Sequence, residues 1–139
     1  MKDKFEIIDH TADVGIAAYG SDMAEAYANA ARGMFSLMVD LDSVGDTLRR
    51  GVAVRADNRE DLLVAWLNEL IYLHEVENVL FSRFEVSELD DRKLVAICFG
   101  ERIDKERHKM KVGVKAATYH KVRIEEGKGG WRVQVLFDI

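Results

Sequence analysis

The spacing of apolar and polar residues along the chain predicts seven β-strands. Most of these segments alternate in character or are rich in β-branched and aromatic residues, as half-buried strands are. They lie at residues 5–8, 14–19, 48–56, 80–86, 94–99, 121–125 and 131–137. The short polar turns "LDDRK" and "EGKGG" separate neighbouring strands, so we expect each turn to close an antiparallel hairpin.

Two further segments have apolar residues at helical spacing, which predicts helices over about 22–39 and 59–74. Each helix begins with a capping box, in which two side chains satisfy free backbone N–H groups of the first turn. The two boxes are Asp22 with Glu25 and Asp57 with Glu60. The apolar face of the second helix is wide, so we expect that helix to be mostly buried.

The order of the elements, β-β-α-β-α-β-β-β-β, indicates the class of fold. Strands outnumber helices and tight turns favour antiparallel pairing, so we predict an α+β fold with two main helices packed on a mainly antiparallel sheet. The sequence has no proline and no Gly/Ser-rich linker. We therefore expect a single domain over residues 1–139.

Composition narrows the class of protein. The chain has 139 residues, of which 48% are hydrophobic, as in a globular domain. It has no apolar run long enough to span a membrane, and its charged first residues do not resemble a signal peptide. The single cysteine, Cys98, lies in the apolar run "LVAICF". We expect it to be a buried packing residue, and we expect the protein to be cytoplasmic.

Charge is distributed unevenly. The net charge of −5 argues against a general nucleic-acid binder. Residues 105–123, however, contain seven Lys or Arg and one Glu, whereas residues 1–42 contain three Lys or Arg and eight Asp or Glu. The basic stretch is either a solvated surface or a contact for phosphate or an acidic partner.

Chemically active groups occur in the segment "DHTAD" at 9–13 and at the last two residues. Asp138 and the carboxylate of Ile139 form a weak hard-cation site, which Asp13 would complete. Alternatively, His10 is a general base oriented by Asp13, with His120 as a second imidazole. Zinc would suit His10, His120 and an acid, but their spacing is not that of a short zinc motif.

No hydrolase elbow, Walker A or G-x-G-x-x-G pattern is present in the sequence. We expect His74, at the end of the second predicted helix, to be structural.

Three stretches together resemble the archease family: "DHTADVGI" at 9–16, "KAATYH" at 115–120 and the final "FDI" at 137–139. The segments "EAYANAARGMFSLMVD", "LLVAWLNELIYLHE" and "FGERID" match in order and spacing as well. The resemblance covers essentially the whole chain. It implies nested strand-helix-strand-strand modules, one inserted within the other.

The resemblance also implies a function, which is activation of an RtcB-type tRNA-splicing RNA ligase. Such a protein is not itself an enzyme, but promotes guanylylation of the ligase and its multiple turnover, and meets RNA only indirectly. The implied metal ligands are Asp13, Asp138 and Ile139, with calcium as the expected ion and magnesium or manganese as alternatives. We expect His10, Lys115 and His120 to support the metal or to face the partner.

Three rival functions stay open, and the first of them is also implied by the resemblance. A general chaperone or modulator of nucleic-acid-processing proteins would bind several clients without needing metal. A metal-dependent phosphoester hydrolase would turn over substrate without a partner. An RNA-binding module would use the basic stretch and show steeply salt-dependent affinity. The sequence does not define an oligomeric state.

Overall fold

The computed structural model describes residues 4–10 and 13–139, and its elements follow the predicted order. Seven strands, two α-helices and one short 3-10 helix (Leu41–Ser43) are present in these residues. The strands are β1 (Phe5–His10), β2 (Asp13–Gly20), β3 (Leu48–Arg55), β4 (Val79–Leu89), β5 (Lys93–Arg102), β6 (Ala116–Gly127) and β7 (Gly130–Asp138), and the helices are α1 (Met23–Met38) and α2 (Arg59–Glu77). Neither α-helix of the described chain is long and apolar enough to cross a membrane.

All strand pairs are antiparallel and form two sheets rather than one. The four-stranded sheet has the order β1-β2-β7-β6, and the three-stranded sheet has the order β3-β5-β4. The two predicted hairpins are present as β4–β5 and β6–β7. The predicted α+β class with two helices on antiparallel strands is confirmed.

The chain builds one strand-helix-strand-strand module inside another. The inserted module is β3, α2, β4 and β5, and the host module is β2, α1, β6 and β7, with β1 added at its edge. In both modules the last strand lies between the other two. The nested arrangement implied by the resemblance is therefore present, although the two modules share no residue-level repeat.

The helices bind the two modules into one core. α1 packs on β2 of its own module and on β4 of the inserted one, whereas α2 packs mainly on β6 of the host module. Phe35 of α1 contacts Phe81 and Phe84 of β4, and Trp66 of α2 meets Phe84 edge-on. The indole N–H of Trp66 donates to the carbonyl of Tyr27 at 3.0 Å, which joins the two helices. These aromatic contacts stabilise the packing beyond the apolar area that they bury.

The helix starts show one correct and one wrong prediction. Asp22 caps α1, and its carboxylate accepts a hydrogen bond from the Glu25 N–H at 2.8 Å. The predicted box of Asp57 with Glu60 is wrong, because Asn58 caps α2 and accepts from the Asp61 N–H at 2.8 Å. Asn58 and Asp61 have the same spacing one residue later, so sequence spacing alone did not separate the two pairs.

α2 also extends three residues beyond its predicted end, so His74 is not the final helical residue. Asn78 ends the helix in the left-handed conformation, with φ of 55°. Nδ1 of His74 lies 2.9 Å from the carbonyl oxygen of Val79, and its ring meets Phe35 edge-on. These contacts agree with the structural role expected for His74.

Two linkers join the modules, and a buried carboxylate holds them together. The outgoing linker (39–47) connects α1 to β3, and the return linker (103–115) connects β5 to β6. Glu101, at the end of β5, is 7% exposed. One of its oxygens accepts from the Gly45 N–H of the outgoing linker at 2.6 Å. Both oxygens accept from the guanidinium of Arg107 in the return linker, each at 2.7 Å.

His108 completes this arrangement. Its Nδ1 accepts from the Asp104 N–H at 2.9 Å, so the ring proton of the neutral imidazole resides on Nε2. Nε2 then donates to Glu101 at 2.8 Å and to the carbonyl of Ser43 at 3.1 Å. The hydrogen bonds from Arg107, followed by that from Gly45, lower the pKa of Glu101 to about 2. We call Glu101, Arg107 and His108 the linker clamp.

The return linker also satisfies the end of α1. The N–H groups of Lys111 and Val112 donate to the carbonyls of Met38 and Leu37 at 2.8 and 3.0 Å. The last carbonyls of a helix have no partner within the helix. The linker supplies that partner and is thereby held along its length.

We predict that Glu101→Gln lowers the free energy of unfolding by about 2–3 kcal/mol at pH 7, because the clamp loses its charge while half-exposed Arg107 regains water. The pKa of Glu101 falls from 4.5 to about 2 on folding. Its ionised form therefore contributes stability that is full above about pH 4.5 and is lost as the pH falls toward 2.

Urea unfolding of both proteins across this pH range tests the prediction. The difference between wild type and Glu101→Gln should shrink as the pH falls from 4.5 to 2. Glu106→Gln, in an exposed part of the same linker, is the matched control and should leave stability nearly unchanged. A difference that stays constant with pH would contradict the ionic origin of the clamp.

Candidate functional site

Two of the predicted metal ligands lie side by side at one end of the four-stranded sheet. Val14 of β2 pairs with Phe137 of β7, so the next step of the register places Asp13 opposite Asp138. Residues directly opposite in an antiparallel pair have Cβ atoms about 4.5–5.5 Å apart. We call Asp13 and Asp138 the acid pair.

Residues of the two neighbouring strands line up with the acid pair and form a row across the end of the sheet. The backbone of His10 on β1 pairs with Asp13, and Ala116 on β6 pairs with Asp138. The N–H of Lys115 donates to the carbonyl oxygen of Asp138 at 2.8 Å. Three separate parts of the sequence, near residues 10, 115 and 138, therefore meet at one sheet end.

The acid pair is on the face of the sheet away from the helices. Phe137 is fully buried in the core, and successive residues of a strand point to opposite faces. Asp138 consequently points outward and is exposed, while Asp13 is half-buried. Two carboxylates that face each other across strands place negative charge close together, which is destabilising unless a cation or solvent offsets it.

An apolar contact lies beside the acid pair on the same outer face. Leu136 is 1% exposed, and its Cδ2 would lie 2.6 Å from a Cβ built on Gly15. A side chain at position 15 would displace Leu136, which explains why glycine follows "DHTADV" here. The close packing of β2 on β7 fixes the register that brings the acids together.

Two further residues were predicted to belong to the site. Ile139 lies next to the acid pair, whereas His120 lies outside the row of residues at the sheet end. Ile139 directly follows Asp138 and is 49% exposed. His120 lies on β6 four residues beyond Ala116, where the pairing with β7 is interrupted between Thr118 and Arg123. Residues 119–122 form this irregularity, and Lys121 has φ of 55°. The sequence carried no signal for the interruption, and the support or partner role of His120 stays a prediction.

Asn68 of α2 is a positioning residue that the sequence analysis missed. Its side-chain oxygen accepts from the Ala117 N–H at 2.8 Å, and its amide nitrogen donates to the Ala117 carbonyl at 3.2 Å. β6 is an edge strand, so these backbone groups have no strand partner on that side. The one signal in the sequence was an amide inside the apolar helix segment "LLVAWLNELIYL".

The donor set of the acid pair fits a hard cation but is small. Among residues 4–10 and 13–139, no three side chains of His, Cys, Asp or Glu are grouped so that they would hold a metal. The predicted set has two such side chains, and its third member is the main-chain carboxylate of Ile139. Since Ca²⁺ takes six to eight oxygen ligands, the set would require further oxygens from water or from a partner.

Cys98 does not contribute chemistry. It is fully buried between β3 and β4 on the central strand β5, and burial raises its pKa to about 12. The thiolate is the nucleophilic form of cysteine. The expected packing role of Cys98 is confirmed.

The fold and the row of motif residues define an α+β protein of nested modules, and comparison with known proteins identifies its family. A model of the Archease protein family matches residues 5–139. "Protein archease" of Methanosarcina mazei is 38% identical, and the match covers 98% of this chain and 96% of the relative. "Protein archease" of Methanothermobacter thermautotrophicus is 40% identical over 97% of this chain and 98% of the relative. The chain belongs to the archease family.

Solved structures agree with this assignment. The solution structure of protein 1598 of Methanobacterium thermoautotrophicum has a TM-score of 0.84 and 39% identity, covering 98% of this chain and 99% of that one. The crystal structure of a Thermotoga maritima protein described as an archease and possible chaperone has a TM-score of 0.64. It is 21% identical, covers 95% of this chain and 94% of its own, and shows the shared fold.

We predict that Asn68→Ala destabilises the start of β6. Loss of two hydrogen bonds to partly buried backbone groups should cost about 2 kcal/mol. Hydrogen exchange of the Ala117 amide should accelerate more than that of amides in β3. The neighbouring Glu69→Ala is the control, and equal acceleration in both variants would contradict the role of Asn68.

Proposed function

We propose that this protein activates an RtcB-type tRNA-splicing RNA ligase in the cytoplasm, by promoting guanylylation of the ligase and its multiple turnover. The proposal includes a divalent-metal site formed by Asp13, Asp138 and the carboxylate of Ile139. The observation that carries it is the register of β2 on β7, which brings two acids that are 125 positions apart in the sequence together at one end of the sheet. Membership of the archease family supports it.

The chemistry of the acid pair suits this function. A cation between Asp13 and Asp138 would offset their repulsion, and carboxylate oxygens are the ligands that Ca²⁺, Mg²⁺ and Mn²⁺ prefer. A bound divalent ion neutralises charge on phosphate oxygens during nucleotidyl transfer. We propose calcium as the ion, with magnesium and manganese as alternatives.

The surroundings of the acid pair support a role in contact with a partner. Asp138 is exposed, and the Lys115 N–H binds its main-chain carbonyl, so the end of the return linker lies beside it. Leu136 packed over Gly15 supports the pair from the side. We propose that His10, Lys115 and His120 face the partner or orient the acids, and that RNA is met only through the ligase.

A chaperone is the second candidate function, because the Thermotoga maritima protein of the same fold is described as a possible chaperone. A general chaperone would suppress aggregation of unrelated proteins and would not depend on the acid pair. Ligase activation requires one partner and, in our proposal, both acids.

We predict that Asp138→Asn reduces stimulation of ligase guanylylation at least ten-fold, since a neutral amide removes half of the charge of the acid pair. The assay uses the RtcB-type ligase of the same organism with GTP and metal, and measures the guanylylated fraction with this protein absent, present or substituted. Asp57→Asn, an exposed carboxylate before α2, is the matched control and should stimulate like wild type.

The outcomes separate the candidates. Stimulation that persists in Asp138→Asn would retain ligase activation and reject the metal site. No stimulation by wild type, together with suppressed aggregation of unrelated proteins, would favour the chaperone.

We predict that Ca²⁺, at about a hundred times its dissociation constant, raises the melting temperature of the wild type by roughly 5–10 °C. Asp138→Asn should lose most of this shift, and Asp57→Asn should keep it. Appending one glycine after Ile139, which moves the terminal carboxylate, should also lose it, whereas Ile139→Ala should not. An equal shift in all variants would place the ion elsewhere.

A further inference from the structure

The return linker carries positive charge that the fold does not use. Lys109, Lys111 and Lys115 are all exposed. In the described part of the chain, the basic side chains of this linker that form ion pairs are Arg107 and His108. The three lysines therefore form a local positive surface on a protein whose net charge is −5.

The same linker borders an apolar cleft. It has a volume of about 240 Å³ and is lined by Met38 of α1, by His74 and Glu75 of α2, and by residues 110–115 of the linker. Methionine and valine side chains contribute the apolar part of the lining, and lysines lie beside them. The volume suits one or two large aliphatic side chains rather than a nucleotide.

Large apolar side chains are exposed in the lining of this cleft and elsewhere on α2. Met110, which lines it, is 45% exposed. Tyr72 and Val76 lie one turn apart on α2, the helix that supplies His74 and Glu75 to the lining, and are 57% and 59% exposed. Exposed apolar residues that are grouped in a patch often mark an interaction site, whereas single ones are common on any surface.

We propose that this cleft is a docking surface for an acidic segment of the partner protein, which inserts an aliphatic side chain between Met110 and α2. Carboxylates of that segment would pair with Lys109, Lys111 and Lys115. This inference rests on the proposed function, in which the partner is the ligase. A protein segment fits better than RNA, because the cleft is mostly apolar and takes an aliphatic side chain rather than a sugar-phosphate backbone.

The docking surface continues to the acid pair. Lys115 is one of the residues that line the cleft. Its backbone N–H donates to the carbonyl oxygen of Asp138 at 2.8 Å. A segment seated in the cleft would thus end beside Asp138. Binding and metal delivery would use adjacent parts of one surface.

The test compares binding with stimulation. Affinity for the ligase is measured by calorimetry for wild type, Lys111→Glu, Met110→Gln and Asp138→Asn, with Lys128→Glu in the β6–β7 turn as the control of equal charge change. Thermal denaturation verifies that each variant is folded. We expect Lys111→Glu and Met110→Gln to weaken binding about ten-fold and to recover full stimulation at high concentration. Asp138→Asn should fail to stimulate even at concentrations that saturate binding, and Lys128→Glu should behave like wild type.

Each contrary result has a distinct meaning. Unchanged affinity in Lys111→Glu and Met110→Gln, with stimulation by wild type, would overturn the docking surface and leave the proposed function standing. Loss of affinity for an oligoribonucleotide in Lys111→Glu, with ligase binding intact, would overturn it in favour of RNA. A wild type that neither binds nor stimulates the ligase would overturn both proposals.

Discussion

The buried carboxylate of Glu101 is the contact on which the arrangement of the two modules depends. An inserted module must leave its host and return to it, and Glu101 accepts hydrogen bonds from both connections, through Gly45 and through Arg107 and His108. A buried charge is tolerated only when it is fully paired, so neither linker can shift without leaving this carboxylate unsatisfied. The carboxylate thereby holds the start of the return linker, which is then bonded to the end of α1 and, through Lys115, to Asp138.

The contact of Lys115 with the acid pair depends on the register of β6, because strand register has a period of two residues. A slip of one residue in β6 would exchange the faces of Ala117 and Ala116 and would detach Lys115 from Asp138. Asn68 resists such a slip by binding both backbone groups of Ala117. The helices therefore bury the apolar side of the sheet and also hold in place the strand end that meets Asp138.

The sequence predicts what is local and misses what is long-range. The first helix, expected over 22–39, is observed at Met23–Met38, because its cap and its apolar spacing lie within one segment. The start of β6 and its interruption at 119–122 were missed, since "KAATYH" does not alternate in polarity. Glu101 lies in the matching segment "FGERID", but its role was not predicted, because its partners lie 56 residues before it and 6–7 residues after it. Asp13 and Asp138 were selected from their chemistry and from resemblance, and only the register shows them to be adjacent.

The acid pair and Ile139 supply few oxygen ligands, so the proposed partner would have to supply others. Three carboxylates offer no more than about six oxygens, and those of Asp138 and Ile139 are exposed, so solvent competes for an ion held there. An oxygen ligand from a docked partner would complete the coordination and exclude water. Metal affinity and partner affinity would then be coupled, and the coupling must be equal in both directions. A protein that binds its ion weakly when free and tightly when docked can place the ion where the partner's phosphates need it, without holding it permanently.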